Sequence, residues 1–352
     1  MTQTGSTLST EQAQPAQTAA AAGHAASAAL IALDWGTTSL RAYLFDANGA
    51  VLETRASTAG IMNLPRPAAE GGFDAAFDAV VGAWLDRAPE LPVIAAGMVG
   101  SAQGWKEAPY VNAPASADAL VDGIVRVQTA RGVPLNIVPG VLQNGELPNV
   151  MRGEETQIFG ALACVEPSAA GKGLLIGLPG THAKWVMVRD AKIERFDTFM
   201  TGEVFAALSE HTILGRTMLT PDQPDTDAFL RGVRVARDKG KAGVLATIFS
   251  TRTLGLTGQL AREQQPDYLS GLLIGHELSG LEAALAQQQS TLAGSALQLI
   301  GNEALCERYR LALAQFGCHQ ADLVKQATER GLWRIAAQAG LVSEASGAAQ
   351  AT

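Results

Sequence analysis

One pattern occurs twice in this chain. Residues 30–55 run as an apolar strand, a Gly-Thr turn, an alternating strand, an Asp-containing turn and a third strand. Residues 174–199 repeat that order, so that Gly36 maps onto Gly180 and Asp46 onto Asp190 at a common offset of 144 residues. Segments with helical spacing of apolar residues follow each meander. With 352 residues the chain is long enough for two domains of roughly 150 residues. The repeat therefore predicts an α/β protein of two duplicated domains with a cleft between them.

Periodicity predicts helices over Phe73–Asp86, Ala115–Thr129 and Thr156–Val165 in the first half. In the second half it predicts them over Asp225–Asp238, Ala242–Ser250, Ser270–Gln288 and Glu303–Gly317, with a strand at Leu297–Gly301 and a last helix from near Leu332. An Ala-rich disordered tail over 1–28, a first domain over 29–166, a linker at Pro167–Gly173, a second domain over 173–342 and a short disordered tail over 343–352 complete the expected organisation. The Ala-rich opening lacks the basic start of a secretory signal, the first Lys or Arg being Arg41, and Gly23, His24 and Ser27 break it before it reaches membrane-spanning length.

Charge narrows the function classes. Twenty-six Lys and Arg against 34 Asp and Glu leave a net charge of −8 with no basic stripe, which argues against a nucleic-acid partner. Three cysteines without a C-x-x-C pair, and histidines without metal-ligand spacing, provide neither a disulfide framework nor a zinc site, and a cytoplasmic location is expected.

A glycine in a turn lets backbone approach a ligand, and neighbouring N–H groups and hydroxyls then donate to phosphate oxygens. Gly36, Thr37 and Thr38 form such a set directly after Asp34, whose carboxylate at a strand end suits a hydrated Mg²⁺. Gly180, Thr181 and His182 form a second set, with Leu178 where the first has Asp34. Taken singly, such a turn is far more often a simple hairpin reversal than a phosphate loop.

Longer blocks add specificity. Asp-Trp-Gly-Thr-Thr-Ser-Leu-Arg (34–41), Ala-Gly-Met-Val-Gly-Ser-Ala-Gln-Gly-Trp-Lys-Glu-Ala-Pro-Tyr (96–110), Val-Met-Arg-Gly-Glu-Glu-Thr-Gln (150–157), Pro-Gly-Thr-His-Ala-Lys-Trp-Val (179–186), Met-Thr-Gly-Glu (200–203) and Ser-Gly-Leu-Leu-Ile-Gly-His-Glu (270–277) together resemble the 2-dehydro-3-deoxygalactonokinase family over about residues 30–342. The resemblance implies two actin/hexokinase-like (ribonuclease H-like) domains with an interdomain active-site cleft. It also implies ATP and Mg²⁺, and phosphorylation of the 6-hydroxyl of 2-dehydro-3-deoxy-D-galactonate. Expected partners are ATP and a small-molecule sugar acid, without a membrane, and homodimerisation is left open.

Phosphoryl transfer to a hydroxyl needs a carboxylate to receive its proton. Glu154 and Glu155 open a predicted helix beside Arg152, and the similarity of Gly-Glu-Glu-Thr-Gln to the Gly-x-Glu-Glu-Ala-Arg segment of exopolyphosphatases favours Glu155 as base, with Asp34 a rival. Both glutamates also suit helix capping. A cation must meet the substrate carboxylate: Arg152 and Lys106 are the candidates, ahead of Arg41. Trp105 can stack on the sugar acid or pack at a domain edge, and Asn112 and Glu203 can bind hydroxyls or serve structure. Relatives of this fold place adenine on the second domain, where Gly301 ends a strand and opens onto a helix. Competing readings are a kinase of another 2-keto-3-deoxy sugar acid, an exopolyphosphatase-like hydrolase and an actin-like conformational ATPase.

Overall fold

The computed structural model describes residues 28–163 and 173–343. Both expected tails, apart from Ala28 and Ser343, and the expected linker up to residue 172 lie outside them. Strands β1 (Ala28–Trp35), β2 (Leu40–Asp46) and β3 (Val51–Ser57) form the first antiparallel meander. Helix α1 (Gly72–Leu85) leads to β4 (Val93–Ala96), which pairs parallel to β1, and β6 (Val125–Gln128) and β7 (Pro134–Ile137) complete a six-stranded sheet of order β3-β2-β1-β4-β7-β6. The second half rebuilds this arrangement. Strands β10 (Leu174–Leu178), β11 (Ala183–Arg189) and β12 (Lys192–Phe199) form the antiparallel part, and β13 (Ala296–Leu299) and β14 (Asp322–Leu323) extend it in parallel, in the order β12-β11-β10-β13-β14. These are the two duplicated actin/hexokinase-like domains. A small sheet of β5 (Tyr110–Asn112), β8 (Gly140–Gln143) and β9 (Asn149–Met151) is inserted in the first.

Alternation along the strands decides what faces the cleft. In β1, Leu30 and Ala32 belong to the core shared between the lobes, whereas Ile31, Leu33 and Trp35 turn outward onto α1. In β10 and β11, Leu174, Ile176, Leu178, Val186 and Val188 face the shared core, and Leu175 and Trp185 face the outer helices. Two helices fill the layer between the sheets: α3 (Glu154–Leu162), ending the first half, and the C-terminal Ala327–Gln338, which crosses back to pack on α3, β1 and β4. They cross at glycines. A Cβ on Gly160 would lie 1.9 Å from the Ala327 carbonyl oxygen, and one on Gly331 would lie 1.9 Å from that of Thr156. Ala115 and Ile193 exchange backbone hydrogen bonds of 2.9 Å between the lobes.

The remaining helices are α2 (Ala117–Asp122) and, in the second lobe, α4 (Thr201–His211), α5 (Thr226–Lys239), α6 (Val244–Thr247), α7 (Ser250–Leu256), α8 (Gln265–Ala286) and α9 (Glu303–Ala314); the C-terminal helix is α10. The expected Ala115–Thr129 helix stops at Gly123, beyond which Val125-Arg126-Val127-Gln128 alternates as edge strand β6. The expected Ala242–Ser250 helix is divided between α6 and α7, and the last helix begins at Ala327, five residues before Leu332.

Candidate active site

Both Gly-Thr turns are clamped from behind. Gly36 N–H closes the first turn onto the Ser39 carbonyl at 2.9 Å, while Ile61 and Met62 donate to the Gly36 and Thr37 carbonyls at 3.1 and 3.0 Å. Gly60 lies so close that a Cβ there would sit 2.4 Å from Thr37 O. The second turn is backed by Gly202, whose Cβ would lie 2.5 Å from Gly180 O, and Glu203 N–H donates to Thr181 O at 3.0 Å. Gly180 itself has open space in front of it.

Both hairpins converge on the N-terminus of α3. Asp34, next to last in β1, lies opposite Arg41, with Arg41 Nη1 4.0 Å from Asp34 Oδ2. Burial raises the Asp34 pKa; Arg41 opposes this, and the carboxylates of Glu329 and Glu154 add to the rise. On the other side, Lys184 in β11 places Nζ 3.5 Å from Glu154 Oε1. Glu154 thus stands between the two turns. Its Oε2 accepts from Arg152 N–H at 3.0 Å. Glu155 is fully buried and folds back on its own helix start, accepting from Gly153 N–H at 2.7 and 2.9 Å and from the Thr156 hydroxyl at 3.2 Å. Burial, reinforced by the charge of Glu154, pushes its carboxyl up from 4.5 to about 7.

Beside these carboxylates, Arg152 is 9% exposed and its guanidinium lies 4.3 Å over the Tyr110 ring. Nη2 donates to Ala108 O at 2.9 Å, whereas Nε and Nη1 are buried without a hydrogen-bond partner among the described residues. Buried donors of this kind are normally satisfied. Each unpartnered N–H is a charge-assisted donor that an anionic oxygen would satisfy.

On the second lobe, a cavity of about 270 Å³ opens next to the second turn, lined in part by Gly180, Gly202, Leu273, Ile274, Leu305 and Tyr309. Its polar edge is the Asp267–Arg308 pair at 2.6 Å, with Arg308 stacked on Phe229 at 4.5 Å. Glu277 is buried behind it, accepting from Trp185 Nε1 at 2.7 Å, from the Tyr309 hydroxyl at 2.8 Å and from the Thr201 hydroxyl. Burial raises the Glu277 pKa against the pull of those three donors. Gly301 adjoins the same turn, a Cβ there falling 3.3 Å from Pro179 O.

Comparison with known proteins gives the family. The family model described as 2-keto-3-deoxy-galactonokinase matches residues 34–335. The chain belongs to that family. A 2-dehydro-3-deoxygalactonokinase from Escherichia coli strain K12 is 38% identical over 294 residues, covering 83% of this chain and 91% of the relative. A protein named a probable 2-dehydro-3-deoxygalactonokinase from Rhizobium meliloti is 38% identical, over 81% of this chain and 89% of its own length. A crystal structure assigned to the same activity, from Sinorhizobium meliloti, superposes with a TM-score of 0.78 at 36% identity, covering 88% of this chain and 98% of that one. The protein is thus a kinase of this family.

Within the kinase, Asp34, Gly36, Thr37, Thr38, Gly180, Thr181, Arg152, Glu154 and Gly301 lie on the elements that meet at or beside the cleft. Other expected residues are engaged elsewhere. Lys106 Nζ donates to Arg126 O of edge strand β6 at 2.7 Å. Trp105 stacks on Phe73 at 5.7 Å and packs edge-on to Trp35 and Phe77, as a domain-edge residue. Asn112 accepts from Asn144 Nδ2 at 2.7 Å. Glu203 sits beside the second turn and is bonded to His182, both of them half exposed and outside the cavity lining. Lys184, Glu329, Tyr110 and the Asp267–Arg308 pair escaped the sequence reading. Lys184 lay inside the quoted 179–186 block, but a lysine in a hairpin strand gives no sign of burial until two lobes meet over it.

Proposed function

We propose that this kinase transfers the γ-phosphoryl group of ATP to the 6-hydroxyl of 2-dehydro-3-deoxy-D-galactonate, giving the 6-phosphate and ADP, in the cytoplasm. The observation that carries the substrate class is Arg152: a guanidinium buried at the start of α3, with Nε and Nη1 unpartnered among the described residues, beside Glu154. An anionic sugar acid satisfies those donors, and its far-end hydroxyl then reaches toward the turns. The cavity beside Gly180 takes the adenine, with Leu273, Ile274 and Leu305 as apolar walls, and the two Gly-Thr turns donate to the phosphates.

Glu154 takes the role that sequence similarity favoured for Glu155. It remains 28% exposed between the turns, whereas both Glu155 oxygens are held by Gly153 and Thr156 within the protein. As O6 attacks the γ-phosphorus and the bond to the β,γ-bridging oxygen breaks, the hydroxyl proton passes to Glu154. Asp34 fits a Mg²⁺ ion: its carboxylate, whose pKa is raised first by burial and then by Glu329 and Glu154 against the pull of Arg41, stands near negative charges that a divalent cation would relieve. Bound Mg²⁺ would supply charge neutralisation for the phosphates.

A coupled assay of ADP release across a panel of 2-keto-3-deoxy sugar acids tests the reading. Release that depends on the galactonate-derived acid, with lower kcat/KM for its C4 epimer, is the expected result. ADP release independent of any sugar acid, or phosphate release from polyphosphate, would overturn it.

A further inference from the structure

The two hairpins are related by register, and their differences isolate one residue. Asp34, the last inward-facing residue of β1, pairs across the strands with Arg41; the corresponding Leu178 of β10 pairs with Lys184. The first lobe therefore has its own carboxylate for its cation, and the second has a leucine there. Below Lys184 on the same face of β11 come Val186 and Val188, both in the shared apolar core. Lys184 is only 5% exposed, and a buried ammonium is costly unless it is paired. Its ion pair is with Glu154 of the other lobe. A third valine would hold the lobes together without that cost.

We infer that Lys184 is a positioning residue for proton transfer, reaching from the second lobe to hold the Glu154 carboxylate toward the acceptor hydroxyl. This rests on Glu154 being the proton acceptor, as proposed above. The 3.5 Å separation exceeds the roughly 2.7–3.2 Å of a direct N–H···O bond, so lobe closure has room to tighten the pair. The base is then set only when nucleotide and sugar acid have drawn the lobes together, which ties proton acceptance to a complete active site. Charged groups that feel Glu154 are Glu155 from α3 and Asp34 from β1.

A double-mutant cycle with K184M, E154Q and the combined variant tests this, with thermal melts of each and K184R as the conservative replacement. E154Q is expected to lower kcat by about 10²–10⁴-fold, the range of general-base catalysis. K184M is expected to lower kcat by at least about tenfold with both KM values little changed, and the double variant to fall no further than E154Q. K184R should recover part of the loss. Should K184M not fold, K184Q serves in the same cycle. Losses that multiply in the double variant, a rise in the KM for ATP in place of a fall in kcat, or a lowered Tm with normal kcat would each overturn the inference. Normal turnover by E154Q would overturn it too, by removing the group through which Lys184 acts. Failure of the unaltered enzyme on every sugar acid would fell the functional reading itself, a result distinct from an active enzyme whose cycle is additive.

Discussion

Asp34 and Glu155 both carry raised pKa values, for reasons that lead to different experiments. At Asp34 the loss of solvation comes first, and the neighbouring carboxylates add to it against Arg41. A cation gathered there would relieve that crowding, so Asp34→Asn should lower kcat by orders of magnitude and weaken the dependence on Mg²⁺ concentration. Turnover and metal dependence like those of the unaltered enzyme would remove Asp34 from the site. At Glu155 the carboxyl lies wholly inside the protein, and folding favours its neutral form. A group raised in the folded state stabilises it fully below the unfolded pKa, near 4.5, and that contribution is lost as the pH climbs through about 7. Glu155→Gln stays neutral throughout. Its Tm relative to the unaltered enzyme should therefore rise across that window, since Asp34 and Glu277 titrate in both proteins and cancel in the difference. A pH-independent difference would show that Glu155 does not titrate there.

The second turn owes its shape to the start of α4. Gly202 sits against Gly180 and Thr181 so closely that any side chain must push the turn forward, into the space left for phosphate. Gly202→Ala should raise the KM for ATP several-fold while the KM for the sugar acid stays within about twofold; equal effects on both would show that the turn does not serve the nucleotide alone. The hairpins carrying these turns were legible in the sequence because their period of two and their turn chemistry are local properties. So were α1, α5 and α9, bounded by capping residues such as Asp225 and Asn302, whose side chains accept from Ala228 and Leu305 N–H. Elements held by tertiary contact were not. Strand β6 is four residues long and was absorbed into a predicted helix because Val125 and Val127 fit either period. The first turn of α10 was hidden because Ala327-Thr328-Glu329-Arg330-Gly331 has no apolar spacing, and Gly331 resembles a stop until the crossing with Thr156 explains it. Glu329 was lost with that turn. Likewise Arg152 was legible as a cation, but its role depends on donors left unfilled between Tyr110 and Ala108, which only packing reveals.

Two sheets, a pair of helices between them and an open groove at the strand ends make a molecule that can close. The lobes share an apolar core around α3 and α10, and these helices meet through glycine backbones, so the layer is thin where they cross. Toward the groove the lobes meet through the Lys184–Glu154 ion pair at 3.5 Å. Motion that pivots on the core therefore opens or shuts the groove while leaving the packed layer intact. On the proposed reading, ATP would meet both turns and the cavity of the second lobe, and a sugar acid would meet Arg152 in the first. ATP would then bridge the lobes only through the first turn, and the sugar acid would add the first-lobe contacts that complete closure. X-ray scattering should accordingly show a smaller radius of gyration with a non-hydrolysable ATP analogue and sugar acid together than with either alone. ATP hydrolysis without sugar acid should be slow compared with phosphoryl transfer, because water reaches the γ-phosphate only in the open form, where Glu154 is not yet set. Identical scattering in all four states, or rapid hydrolysis without the acid, would show that the groove is fixed and that exclusion of water has another origin.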